Sequence, residues 1–268
     1  MPLRFSILAS GSTGNSMVVE TEDAKILVDA GLSMKKIEHL LAERDTKAEE
    51  LQGIFVTHEH SDHIKGLGAI ARKYHLPVYA NEKTWNELER DIGEIPGGQK
   101  IVIGTGETVA IGKLKVESYA ISHDAADPVG YCFYADDYKL SLATDLGYMS
   151  QKVKEKLYDS DVLILEANHD VEMLRVGKYP WNVKRRILGD TGHLSNNAAG
   201  EGLSDIVSEK LKRVYLAHRS RDHNMLDLAR MTVADMLAET GVQARYKRLK
   251  LMDTYFDRPT LWDSLAEY

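Results

Sequence analysis

A chain of 268 residues is long enough to bury a large core and to fill one or two domains. Its hydrophobic share of 43% and charged share of 28% fit a water-soluble globular protein without a bilayer-spanning run, and its single cysteine, Cys132, excludes an internal disulfide framework. A net charge of −7 argues against a surface that is polycationic throughout, so any nucleic-acid contact must come from a local basic patch. In chain order, residues 3–8 alternate and read as a strand, followed by the small-residue loop Ser10-Gly11-Ser12-Thr13-Gly14-Asn15-Ser16. Residues 17–20 and 25–28 read as a hairpin; Asp29-Ala30-Gly31 ends it, and Ser33 stands as the cap of a helix to residue 44. Residues 53–57 form an apolar run that reads as a buried strand, and 64–74 read as a helix. A short strand at 77–80 precedes a helix from an Asn81 cap to 91, then a Gly/Pro-rich loop over 93–100. The period next changes to two, with strands expected at 101–103, 108–111, 113–121, 129–135 and 138–144; Cys132 falls within one of them as a buried filler. A helix at 153–158, a strand at 162–166 and a helical stretch over 170–189 broken at Pro180 follow. Leu194-Ser195-Asn196 opens a helix to 212, residues 213–217 read as a strand, 226–240 as a helix, and a last strand is expected near 243–246. Two strand-rich blocks, each followed by helices, predict a four-layer α/β/β/α sandwich. With no linker or low-complexity tract, residues 1–268 are expected to form a single domain.

The densest chemistry lies between the run at 53–57 and the helix at 64–74, in His58-Glu59-His60-Ser61-Asp62-His63. Loops that leave a strand are where α/β layers carry their sites, because the strand fixes the loop and leaves its side chains exposed. His58 and His60 are two apart, so on an extended backbone their rings project the same way. Asp62 and His63 follow where the chain turns and can address a second centre. Imidazole and carboxylate are ligands for Zn, Fe and Mn, and thiolate is absent. Three of the chain's ten histidines fall within these six positions, which scattered surface histidines would not give.

His-Glu-His-Ser-Asp-His matches the H-x-H-x-D-H signature, and on it the chain resembles the metallo-β-lactamase superfamily. That resemblance implies two divalent metal ions, Zn, Mn or Fe. His58, His60 and His123 would hold the first ion; Asp62, His63 and His218 the second; Asp145 would bridge them. His123, Asp145 and His218 each follow an apolar strand-like run, as such ligands should. Asp29 resembles the family's buried aspartate that orients the ligand loop. Two ions ~3.5–4 Å apart lower the pKa of a bridging water and stabilise charge on the attacking and leaving oxygens, which suits phosphodiester hydrolysis.

Glu166-Ala167-Asn168-His169-Asp170 and Thr191-Gly192-His193-Leu194-Ser195 are similar to the paired motifs of the tRNase Z-type nucleases. The resemblance gives Glu166 the task of orienting His193, and His193 that of protonating the leaving oxygen. Read with the loop of residues 8–16, these phrases look most like the YycJ/WalJ-type branch. That branch implies a cytoplasmic 5′-to-3′ double-stranded DNA exonuclease with a part in mismatch repair. Forty-eight positions separate Asp145 from His193, too few for the inserted domain of β-CASP nucleases.

For substrate contacts, Ser10, Ser12 and Asn15 belong to a loop that could cradle a phosphate, and His169 could contact one. Lys184, Arg185 and Arg186, with Lys178 and Trp181, could bind a nucleic-acid backbone. The sequence-level reading is therefore a metal-dependent phosphodiesterase acting on the 5′ end of duplex DNA, with Asp62, Glu166 and His193 as catalytic groups. A metal-activated hydroxide would be its nucleophile. The start Met1-Pro2-Leu3-Arg4-Phe5 shows no secretory pattern, so a cytoplasmic enzyme without a membrane partner is expected. Alternatives within the fold are a small-molecule or cyclic phosphodiesterase and a thioester or lactone hydrolase. A di-iron oxidoreductase would replace His60 by Glu.

Overall fold

The computed structural model describes residues 2–266. The chain opens with β1 (Arg4–Ala9), β2 (Ser16–Glu20), β3 (Lys25–Val28) and α1 (Met34–Ala42). Then come β4 (Ile54–Phe55), α2 (Ser61–Ile64), α3 (Leu67–Tyr74), β5 (Val78–Ala80) and α4 (Glu82–Ile92). The alternating stretch gives β6 (Lys100–Val102), β7 (Thr108–Ile111), β8 (Leu114–Ala120), β9 (Val129–Ala135) and β10 (Tyr138–Ala143). After α5 (Gln151–Leu157) and β11 (Val162–Glu166) run α6 (Val171–Val176), α7 (Trp181–Ile187) and α8 (Asn196–Ile206). β12 (Arg213–Ala217), α9 (Leu226–Glu239), α10 (Val242–Arg245), β13 (Lys250–Asp253) and β14 (Asp263–Ser264) close the chain. This is the mixed α/β class that the strand pattern predicts.

The chain divides into two compact units: one runs to Ala120, adds Ala125–Tyr138 and resumes at Thr254, and the other comprises Ile121–Asp124 and Lys139–Asp253. In the first, a sheet has the order β14-β1-β2-β3-β4-β5-β6. β1, β2 and β3 are antiparallel neighbours, and β3 to β6 pair in parallel. β7, β8 and β9 form an antiparallel run. The core of this unit packs Ile37, Leu40 and Leu41 of α1, Ile70 of α3 and Trp85 of α4 with Leu8, Val18 and Leu27 from the strands. These helices are amphipathic at period 3.6, which is why they lie on a sheet.

In the second unit β10 to β13 are parallel neighbours in sequence order. Parallel neighbours require crossovers, and α5, α6 to α8, and α9 with α10 supply them. β11 is buried along its whole length, as a central parallel strand should be. The unit's site residues therefore lie where such sheets place them, at carboxyl ends: Glu166 ends β11, Asp145 follows β10 and His218 follows β12.

Three local expectations are corrected. Residues 243–246 are not a strand: Val242–Arg245 is a helical turn entered through Gly241 at φ +75°, and the strand lies later, at Lys250–Asp253. Ser33 precedes α1 but makes no side-chain capping bond, whereas Asn81, Ser150 and Ser195 cap their helices. Asp62 and His63 sit on the single turn α2, not on an open loop.

Candidate active site

In the first unit, Asp29 is the keystone. It follows β3 at φ +57°, an uncommon backbone state for a residue with a side chain, and is 3% exposed. Its Oδ1 accepts the Thr57 N–H at 2.9 Å, and its Oδ2 accepts the Thr57 hydroxyl and the His63 Nδ1–H, both at 2.8 Å. A carboxylate oxygen accepts, so His63 carries its proton on Nδ1 and turns Nε2 the other way, as metal-ligating histidines held by a carboxylate do. The strand end is fixed from β9 as well: the Tyr131 hydroxyl donates to the Val56 carbonyl at 2.7 Å, and the Val129 N–H to that of Thr57 at 3.0 Å. His58 Nε2 and His60 Nδ1 lie 3.1 Å apart, and the His58 and His63 rings are 4.1 Å apart, so the structure brings these three imidazoles together. Glu59 turns away from them and accepts the Ala126 N–H at 2.7 Å.

Asn15 changes role. Its Nδ2 reaches Asp62 Oδ2 at 3.2 Å and His63 Nε2 at 3.1 Å, while its Oδ1 accepts the Gly11 N–H at 2.9 Å. Three more amides of that loop are engaged: Ser10 N–H donates to Tyr255, Gly14 to Gly11 and Asn15 to Asp62. A phosphate cradle needs amides that point at the ligand, and those of Ser10, Gly11, Gly14 and Asn15 are turned to the protein; Asn15 braces the Asp62–His63 turn, and Ser12 is exposed. Gly31 completes the brace, since a Cβ there would lie 1.6 Å from the Asp62 carbonyl oxygen. Nothing in the sequence beyond a turn-forming Asp-Ala-Gly signals that requirement.

In the second unit, Glu166 gathers four donors. Its Oε1 accepts the Nδ1–H of His193 and of His218, each at 2.8 Å; its Oε2 accepts the N–H of Leu146 at 3.0 Å and of Leu194 at 3.1 Å. Burial alone would raise its pKa, but the two histidines outweigh it and hold the carboxyl well below the usual carboxylate range. Both rings therefore keep Nδ1 protonated and present Nε2. His123 is oriented in the same sense, because its Nδ1 lies 3.1 Å from the Gly192 carbonyl, which can only accept. His218 Nε2 stands 3.3 Å from Asp145 Oδ1, and His123 Nε2 stands 3.9 Å from it. Asp145 and His218 hold φ of +61° and +51°, conformations kept at some cost in strain.

Asp145, Glu166, His193 and His218 each offer a ligand atom within 4.8 Å of the others. The donor set of imidazole and carboxylate fits a hard or borderline divalent ion. Glu166 is the exception, since its oxygens already serve four N–H groups. Asn168, whose Nδ2 donates to the His218 carbonyl at 2.8 Å, and Asn224, whose Nδ2 reaches the carbonyls of Ala167 and Asn168, fix the cluster from behind. Sequence reasoning gave neither a role.

His169 is not an exposed loop residue: it is 1% exposed, neither ring nitrogen has a hydrogen-bond partner among the described residues, and burial lowers its pKa to about 4. Of the expected basic trio only Arg185 remains uncommitted. Lys184 is buried, its ammonium donating at 2.7 Å to the carbonyls of Arg175 and Gly177, so its reading as a backbone-binding lysine is corrected. Arg186 pairs with Asp124, beside His123.

A model of the beta-lactamase superfamily domain matches residues 24–219, and the chain belongs to that superfamily. It is 52% identical to the exodeoxyribonuclease YycJ of Bacillus anthracis, over 90% of this chain and 91% of that one. To the exodeoxyribonuclease WalJ of Streptococcus pneumoniae it is 46% identical, over 91% and 92%. Among solved structures it is similar to the metallo-beta-lactamase fold protein YhfI from Bacillus subtilis, with a TM-score of 0.71 at 15% identity over 97% of this chain and 99% of that one.

Proposed function

We propose that this chain is a metal-dependent exodeoxyribonuclease that hydrolyses duplex DNA from a 5′ end, with a role in mismatch repair in the cytoplasm. The observation that carries the reading is Glu166 holding two imidazoles by Nδ1, in a chain about half identical to named exodeoxyribonucleases. His58, His60 and His123 would hold one divalent ion, Asp62, His63 and His218 a second, with Asp145 as a further ligand; Zn, Mn and Fe all suit the donors. When bound, such a pair supplies an activated water and neutralises charge on the phosphodiester.

The chain's own groups do the rest. Asp29 and Asn15 hold the Asp62–His63 turn. Glu166 holds His193 through Nδ1, so that a proton on Nε2 can pass to the leaving oxygen and leave a neutral ring still bonded through Nδ1. His193 is only partly buried, as a group that must meet substrate should be. His169 is buried and neutral at physiological pH, and the exposed Arg185 contributes backbone attraction.

The test is incubation of purified protein with Mn²⁺ and 5′-phosphorylated duplex DNA. Release of mononucleotides, lost in His193→Ala, is expected. No nucleotide release together with turnover of a cyclic nucleotide would replace the reading with a small-molecule phosphodiesterase.

A further inference from the structure

The corner between α6 and α7 places three large apolar side chains in solvent within six residues: Val176 is 83% exposed, Trp181 61% and Tyr179 37%. Exposed apolar groups scattered singly need no explanation, but a cluster marks a contact surface. This corner is also rigid. Tyr179 donates its hydroxyl to Asp222 at 2.8 Å and lays its ring edge-on to His223 at 4.3 Å. Lys184 ties down the carbonyls of Arg175 and Gly177, and a Cβ on Gly177 would lie 2.3 Å from His223 Nε2. Two cations flank it: Lys178 and Arg185 are exposed, and among the described residues no acid pairs with either, while Asp222 is engaged by the Tyr179 hydroxyl. Finally, the corner is continuous with the catalytic cluster, because the Ile187 carbonyl at the far end of α7 accepts the His193 N–H at 3.0 Å.

We propose that Trp181, with Tyr179 and Val176, is a stacking platform for the exposed base face at a DNA end, with Lys178 and Arg185 taking the adjoining phosphates. An exposed indole on a braced corner beside cations is the combination that binds bases without reading their sequence. The seven residues of α7 rise about 10 Å, so Trp181 at its start stands one short helix away from the Ile187 carbonyl that holds the His193 backbone. A blunt or frayed terminus offers such a face and an internal base pair does not, so the platform selects ends. The inference rests on the nuclease reading for its biological sense, though not for its geometry.

The full chain carrying Trp181→Ala or Trp181→Phe is compared with wild type on duplexes bearing 2-aminopurine at the 5′ end. KM should rise roughly 5- to 150-fold for W181A with kcat kept, W181F should recover most of it, and terminal 2-aminopurine quenching on metal-stripped protein should vanish in W181A alone. Unchanged KM and quenching would overturn the platform. So would a wild-type dimer that dissociates on W181A, because a second copy would then be the occupant. Wild-type protein that quenches the terminal base without releasing nucleotides would overturn the nuclease reading and leave the platform standing.

Discussion

Glu166 divides its oxygens between two imidazoles and two backbone amides, so it is a positioning group whose removal is felt twice. Gln in its place cannot accept all four bonds. Glu166→Gln should lower kcat by about 10²–10⁴ with little change in KM, and cost about 1–3 kcal/mol of stability. Steady-state kinetics and urea unfolding read both numbers, and a kcat within twofold of wild type would remove Glu166 from the account. His169 carries a pH prediction. Its folded pKa is lowered to about 4 from an ordinary 6.5, so between those values the unfolded chain binds more protons and stability falls as pH drops. The stability it contributes is present above pH 6.5 and lost toward pH 4, by about 3 kcal/mol at most. Urea unfolding of metal-free protein should lose more stability from pH 7 to 4.5 in wild type than in His169→Gln; parallel losses would contradict this.

Two elements owe their placement to residues with no catalytic chemistry. The turn after β3 passes so close to α2 that Gly31→Ala must displace the Asp62 carbonyl. We expect a loss of at least about 2 kcal/mol, several degrees in Tm, together with weaker metal binding. Unchanged melting and metal content would show that the turn yields freely. In α7, Lys184 and Arg185 are neighbours with different fates. Arg185→Ala should reduce the salt slope of DNA binding by about 0.9, while Lys184→Met should leave it unaltered and lower stability instead. Equal changes in slope would return Lys184 to the substrate surface. Much of this level is legible from sequence, because period-two runs and capping residues are local signals: Thr108–Ile111, Val129–Ala135, Val162–Glu166 and Arg213–Ala217 fall on their expected limits. The failures have two sources. Val242–Arg245, expected as a strand, holds the helix formers Gln243, Ala244 and Arg245 after a left-handed glycine and coils, while α2 is braced by Asn15 and Gly31 from elsewhere in the chain.

Over the whole chain, the six-residue histidine motif and the residues past strand ends carry chemistry that survives in the sequence as spacing. The supports do not: Thr57, Asn168, Asn224 and Tyr131 are ordinary polar residues until folding aims them at the Asp29, His218, Asn168 and Val56 groups they hold. The net charge of −7 leaves little general attraction for DNA, so recognition must fall to a few local groups. No helix among the described residues is long and apolar enough to cross a membrane. The most direct measurement is the metal content of freshly purified protein by plasma mass spectrometry, with and without His218→Ala. The account predicts about two divalent ions per chain, falling to one or fewer in the variant. Trace metal in wild type, or the same content in both proteins, would contradict it.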